Sequence, residues 1–327
     1  MNEAALDGMV FPWGHTRRFN DLSGYLKRKF GTRVQKLSID AGFTCPNRDG
    51  SKGTGGCTFC NNKSFNPDYC TPENSVTRQI DKGMEFFSAR YQNIKYLAYF
   101  QAYTNTYSSL DHLIRLYNEA LEHEGISGIV IGTRPDCVSD ELLDYLQGLS
   151  ERCHVSLEYG IESTLDKTLL RINRGHDYEA SIRAIERTAG RGIHVGAHLI
   201  LGLPGEVPDD MLDHARKLSL LPLNMLKIHQ LQIIRGTRME KEFLGSSRDF
   251  TLFTADEYVD LVIRFLELLN PAIIVERFAS ASPPDLIAGK RWGLKNFEIV
   301  ARVEKGMIAR NTWQGRLFNP DGSFWKS

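Results

Sequence analysis

The chain has 327 residues, 42% hydrophobic and 24% charged. That balance fits a globular protein with one large core and excludes a disordered chain. Forty basic residues offset forty acidic ones, so overall charge favours neither nucleic acid nor membrane. Six cysteines are too few for a disulfide scaffold at this length. Residues 1–18 show no apolar run behind a basic start, so no secretory signal is read. The apolar stretch 261–275 is broken by Arg264, Glu267 and Pro271 and is not a membrane span. A cytoplasmic, reducing setting is expected.

Short β-branched runs alternate with longer stretches of helical period. Strands are expected at 34–39, 95–100, 128–132, 154–159, 193–201, 225–233 and 273–278. Helices are expected between them at 77–91, 110–124, 140–149, 178–191, 209–220 and 255–269. Strand–helix alternation means parallel strands joined by right-handed crossovers. The expected fold class is therefore α/β, a partial or closed (β/α) barrel of six to seven parallel units. Residues 1–30 form an N-terminal basic extension, 31–280 the barrel, and 281–327 a C-terminal extension packing on it. Chemistry in such barrels sits at the C-terminal ends of the strands.

The first strand runs into a glycine-rich loop holding Cys45, Cys57 and Cys60. A closed zinc site wants four ligands, and so does a simple iron–sulfur electron carrier. Three thiolates on a four-iron cluster leave one iron open for a further ligand. Enzymes with such an iron bind the amino and carboxyl groups of S-adenosylmethionine (SAM) there and cleave it to a radical. The competing reading is a zinc knuckle completed by Cys70 or a nearby histidine. Cys70, Cys137 and Cys153 otherwise read as small buried or half-exposed residues. Cys137 ends a strand beside Arg134, a neighbour expected to lower its thiol pKa and make it reactive.

Cys57-Thr-Phe59-Cys60 resembles the second half of the radical SAM motif, in which an aromatic residue precedes the last cysteine. Eleven residues separate Cys45 from Cys57, where the usual motif has three. That longer loop resembles the subgroup of the elongator catalytic subunit and the YhcC-like proteins. Four further segments occur in that subgroup's order: Thr133-Arg134-Pro135-Asp136, Leu157-Glu158-Tyr-Gly160-Ile-Glu162-Ser163, Arg171-Ile-Asn173-Arg174-Gly175-His176, and His198-Leu-Ile-Leu-Gly202-Leu-Pro204-Gly205. The match spans roughly residues 30 to 280. The segment beyond it offers no acetyltransferase domain, so the elongator reaction itself is not expected.

The resemblance implies that Cys45, Cys57 and Cys60 hold a 4Fe-4S cluster. It implies reductive cleavage of SAM to a 5′-deoxyadenosyl radical, with an electron from a donor such as flavodoxin or ferredoxin. It places Glu162 on the ribose hydroxyls and Arg174 on the cofactor carboxylate, with Ser163 beside them. His198 stands where relatives carry an acidic cofactor contact; a core histidine is the other reading. Gln101 and Tyr103 replace the glycine-rich stretch that holds the methionine amino group. Gly202 and Pro204 belong to a turn that lets backbone approach adenine. Tyr103 and Cys137 complete the expected catalytic set.

Two segments suggest the substrate. Residues 17–36 hold seven basic residues and one acidic, and 290–316 seven basic and two acidic with Trp292, Phe297 and Trp313 interleaved. Basic groups neutralise phosphate and aromatics stack on unpaired bases. Two solvated surfaces with their charge balanced elsewhere are the plainer reading. The elongator-like resemblance points to transfer RNA, and YhcC-like relatives to the side chain at carbon 5 of the wobble uridine, carboxymethylaminomethyl toward aminomethyl. A radical enzyme acting on a small metabolite and a non-catalytic zinc-bearing RNA-binding module are the alternatives.

Overall fold

The computed structural model describes residues 8–64, 66–280 and 282–325. The ends of both expected extensions, 1–7 and 326–327, lie outside the described residues, as does 281. Seven parallel strands form one sheet in sequential order: β1 (Val34–Ile39), β2 (Lys95–Phe100), β3 (Ile126–Thr133), β4 (His154–Glu162), β5 (His194–Leu201), β6 (Met225–Gln230) and β7 (Ile274–Val275). The order makes a half-barrel open between β1 and β7. β7 is only two residues long, too short for a full ladder. The chain just before α1 (Leu22–Phe30) bridges part of that seam: the Val275 amide donates to the Asn20 carbonyl at 2.7 Å.

Six helices lie where periodicity expects them: α2 (Val76–Ser88), α3 (Leu110–Leu121), α4 (Asp140–Ser150), α6 (Tyr178–Thr188), α7 (Pro208–Ser219) and α9 (Ala255–Leu268). α1 falls in the N-terminal extension, and three more helices were not expected: α5 (Asp166–Arg171), α8 (Arg238–Gly245) and α10 (Asn296–Ala309). α5 and α8 are only 6 and 8 residues long, too short for periodicity to reveal them. Side-chain caps fix several starts. Ser139 accepts from the Leu142 amide, and Thr254 forms a reciprocal capping box with Glu257.

Alternation along the strands sorts the two sheet faces. Leu37, Ile39, Ala98, Phe100, Ile129, Ile131, Leu157, Leu199 and Ile228 join the buried core that takes in the flanking helices. The alternate positions face inward. At one end of the interior Leu97, Tyr99 and Val130 pack with Leu26 of α1. Tyr25 bonds His194 and Lys29 donates to His154 at 2.9 Å. These histidines begin β5 and β4, so α1 plugs the N-terminal end of the half-barrel. Three strands end three residues away from their expected limits, β7 stopping at Val275 rather than 278. β6 stops at Gln230, because beyond it the chain turns to bridge Ile287 from Ile234. β4 runs on to Glu162 through a register shift between Gly160 and Glu162, because β5 keeps pairing with it up to Leu199.

Candidate active site

The loop after β1 is fastened before any ligand arrives. The Thr58 amide donates to the Ile172 carbonyl and the Thr58 carbonyl accepts from the Met239 amide, each at 2.9 Å. Asn173 Nδ2 holds the Gly56 carbonyl at 2.9 Å. The residues after α5 and the start of α8 thus grip the cysteine segment from opposite sides. Cys45 and Cys57 are buried and Cys60 is half-buried, and all three line one cavity of about 390 Å³.

Arg174 lies against this loop. Its Nη1 donates to Cys57 Sγ at 3.5 Å, its Nη2 donates to the Gly160 carbonyl, and Nη2 stands 3.6 Å from Glu162 Oε1. Asn47 Nδ2 approaches the same sulfur at 3.8 Å. Position 160 lies tight against both side chains: an added Cβ would come within 2.5 Å of Arg174 Nη2 and 2.6 Å of Glu162 Oε1, so they would have to shift. Tyr103 and Glu162 hold left-handed backbone, at φ +60° and +69°. Non-glycine residues adopt it at a cost, and strain of this kind clusters at functional sites.

A second group of charges fills the middle of the half-barrel. Lys36 of β1 donates to Glu158 Oε1 at 2.6 Å and Glu276 Oε2 at 2.7 Å. Lys227 of β6 donates to the Tyr99 hydroxyl at 2.8 Å and stands 3.4 and 3.6 Å from Glu276 and Glu158. His198 Nε2 reaches Glu158 Oε2 at 2.8 Å. Burial works against ionisation of Glu158, but Lys36 and Lys227 hold its carboxyl well below the usual range. Burial pushes Lys227 down to about 8 despite both carboxylates. Burial and the nearby Arg277 keep His229 neutral. This network was not expected. Its signal lay in single charges, Lys36, Glu158 and Lys227, inside strands that otherwise read as buried apolar runs.

Most expected site residues come together. Gln101, Tyr103, Glu162, Arg174 and His198 line the same cavity as the three cysteines. Ser163, Gly202, Pro204 and Cys137 do not line it. Ser163 is fully buried and donates to Glu206, which pairs with His214. Gly202, at φ +96°, packs under Thr251 and Phe253. Cys137 lines a separate hollow beside Thr106 and Ser139. Its expected low pKa is corrected: burial and Asp136 push the thiol up to about 12, outweighing Arg134, whose guanidinium is taken by Asp136 at 2.9 Å.

The basic segments also need correction. Arg302, Arg310 and Arg316 pair with Asp256, Asp260 and Glu267 at 2.8–2.9 Å. Trp292 packs on Tyr258 and donates to the Phe253 carbonyl. The C-terminal excess is therefore largely neutralised by α9. In the first segment Lys36 turns inward and Lys29 is tied to His154.

The radical SAM superfamily profile matches residues 48–218, just over half of the chain, and the radical SAM C-terminal domain profile matches 223–309. The chain belongs to the radical SAM superfamily. It is 39% identical to protein YhcC of Escherichia coli K12 over 277 residues, covering 82% of this chain and 86% of YhcC. It is 34% identical to protein YtqA of Bacillus subtilis over 94% of this chain and 95% of YtqA. A tRNA uridine(34) acetyltransferase of Methanocaldococcus infernus is 25% identical over 58% of this chain. The solved structure of that organism's Elp3, lacking its N-terminus, superposes with a TM-score of 0.66 at 16% identity over 86% of this chain. This chain spans 34% of the acetyltransferase and 64% of the Elp3 chain.

The protein is a radical SAM enzyme, and its cofactors are a 4Fe-4S cluster and SAM. The residues fit them. Three cysteines face one cavity, N–H donors approach the Cys57 sulfur, and two buried polar atoms on the cavity wall, Thr104 Oγ1 and Arg174 Nε, have no partner. Burial and the Cys57 thiolate push Cys60 up to about 11. Positive iron, when bound, would reverse that cost and favour the thiolates. Among the described residues no three cysteine, histidine or carboxylate side chains converge on a point suited to one metal ion. Cys70, the expected fourth zinc ligand, lies outside the cavity with its thiol pushed up to about 12 by burial and Asp40. Among the described residues no helix is long and apolar enough to cross a membrane.

Proposed function

We propose that this enzyme modifies transfer RNA at the carbon-5 side chain of the wobble uridine, taking carboxymethylaminomethyl toward aminomethyl. When bound, the cluster and SAM supply a 5′-deoxyadenosyl radical that abstracts hydrogen from the substrate. Cys45, Cys57 and Cys60 hold the cluster, and Arg174 and Glu162 orient the cofactor beside it. Gln101 and Tyr103 line the same cavity, and a flavodoxin- or ferredoxin-type donor provides the electron.

One observation carries the RNA reading. The cofactor cavity shares Ser38, Tyr99, Gln101 and Arg277 with a larger lateral cavity of about 1350 Å³. That cavity follows the open seam and is walled by Lys27, Arg33 and Lys82 together with Tyr69, Phe86 and Phe87. It exceeds what a small metabolite needs. Cations beside aromatics suit a phosphate-linked, unstacked base. The 25%-identical relative named a tRNA uridine(34) acetyltransferase supports the same substrate class.

Mass spectrometry of transfer RNA nucleosides from cells with and without the gene tests the reading. Loss of the gene should enrich 5-carboxymethylaminomethyluridine or its 2-thio form. Identical nucleosides in both strains would remove RNA as the substrate.

A further inference from the structure

The polar interior of the half-barrel carries an unmatched positive charge. Five arginine and lysine side chains line the cofactor cavity: Arg48, Arg134, Arg174, Lys227 and Arg277. Four are engaged. Arg48 donates to the Cys60 carbonyl, Arg134 pairs with Asp136, Arg174 meets Glu162 and Cys57, and Lys227 meets Glu158, Glu276 and Tyr99. Among the described residues Arg277 has no side-chain hydrogen bond, ion pair or ring contact.

The nearby carboxylates are already spent. Glu158 and Glu276 receive Lys36 at 2.6 and 2.7 Å and Lys227 at 3.4–3.6 Å, and Glu158 also receives His198. Counting Arg277, three cations face two carboxylates. The positive field of Arg277 is felt by its neighbours, lowering the pKa of both Lys227 and His229 behind burial itself. Arg277 is half-buried at the meeting of the two cavities, and a guanidinium is shaped to receive a carboxylate through two parallel donors.

The position of Arg277 separates it from the cluster end. Its carbonyl accepts from the Ile228 amide at 3.1 Å, so its backbone lies level with the interior of β6. Cys45 stands six residues beyond the end of β1. Arg174 and Glu162 are the charges beside the cysteines. Arg277 instead lines both the cofactor cavity and the lateral one, where an incoming substrate meets the radical source.

We propose that Arg277 is the substrate carboxylate receptor, so that the enzyme selects a substrate whose reacting side chain ends in a carboxylate. This deepens and rests on the substrate reading above: a carboxymethylaminomethyl group presents such a carboxylate and an aminomethyl group does not. Lys227 and Tyr99 line the same cavity as the receptor.

The test uses cluster-loaded, SAM-bound protein and two free nucleosides as probes, 5-carboxymethylaminomethyluridine and 5-aminomethyluridine, titrated by calorimetry. The natural enzyme should bind the first about ten-fold or more tighter, the value of a charged hydrogen-bonded contact. Arg277→Gln should abolish the preference and Arg277→Lys should keep part of it. SAM cleavage without substrate should need the same SAM concentration in all three proteins. Equal binding of both nucleosides by the natural enzyme, or a preference that survives in Arg277→Gln, overturns the proposal even if transfer RNA from cells lacking the gene is converted. A raised SAM requirement in Arg277→Gln with the preference intact also overturns it, assigning the arginine to the cofactor's carboxylate. Retention of the nucleoside preference by a protein that converts no RNA would support the receptor while sinking the RNA reading.

Discussion

Cys57 is the residue on which cluster and cofactor geometry meet. In the proposed ligand set it is one of three thiolates, and Arg174 donates to its sulfur while also meeting Glu162. Cys57→Ala leaves two thiolates, too few to hold a four-iron cluster. Anaerobic reconstitution should give about four irons per chain in the natural protein and almost none in this variant, with Cys153→Ala unchanged. Iron retained by Cys57→Ala, or lost by Cys153→Ala, would break the ligand assignment. Gly160→Ala tests the other side of the same arginine. The new methyl meets Arg174 Nη2 at 2.5 Å and Glu162 Oε1 at 2.6 Å, so both must move while the cysteines stay. The SAM concentration for half-maximal 5′-deoxyadenosine formation should rise about ten-fold, as expected for a lost charged contact, with iron content unaltered. An unchanged requirement would take Arg174 and Glu162 out of cofactor binding.

At the scale of the element, α1 makes the closed end of the half-barrel sensitive to acid. His154 and His194 start β4 and β5 beneath it, and Tyr25, Lys29 and Phe30 face them. Burial, with Lys29 adding to it, pushes His154 down to about 3 and His194 to about 4. In the unfolded chain both imidazoles take up protons near 6.5. Between about 4 and 6.5 the unfolded state therefore binds more protons, and stability falls as pH falls through that window. The melting temperature of the cluster-loaded protein should drop on going from pH 7 to pH 5. His154→Gln should make the decline shallower, since its amide keeps an acceptor for Lys29 without titrating. Parallel pH curves for the two proteins would show that these histidines do not set the acid limit.

The whole molecule is organised by an incomplete closure. A two-residue β7 leaves the seam beside β1 open, and along it the interior continues to solvent. Lys27 and Arg33 line the outer part of that opening, with Arg33 stacked on Tyr91 at 3.9 Å. Reversing both, Lys27→Glu with Arg33→Glu, should weaken transfer RNA binding and flatten its salt dependence by about one logarithmic slope unit per lost phosphate contact. Uncoupled SAM cleavage should be unaffected, because neither residue lines the cofactor cavity. Filter binding across a salt series gives the first result and chromatography of 5′-deoxyadenosine the second. Unchanged RNA affinity and slope would place the RNA elsewhere on the surface.

The sequence by itself determined what depends on local order. Alternating apolar periods set parallel strands with crossover helices, and the cysteine spacing with its aromatic neighbour set the cluster loop. The roles expected of Arg174, Glu162 and His198 came from the resemblance of their segments to a known family, and the fold brings all three to the cavity lined by the cysteines. Only the tertiary structure decided which charges face inward. Lys36, Glu158, Lys227 and Glu276 lie on four different segments, and a single strand does not show which cation meets which carboxylate. The same holds for the charge-rich ends. The excess at 290–316 looked available until α10 brought Arg302 and Arg310 onto Asp256 and Asp260 of α9. Cys137 looked activated until folding buried it and gave its arginine to Asp136. Periodicity records how each segment buries its own apolar face. The energy of a charge depends on partners and solvent brought to it from distant parts of the chain, which exist only once the half-barrel has formed.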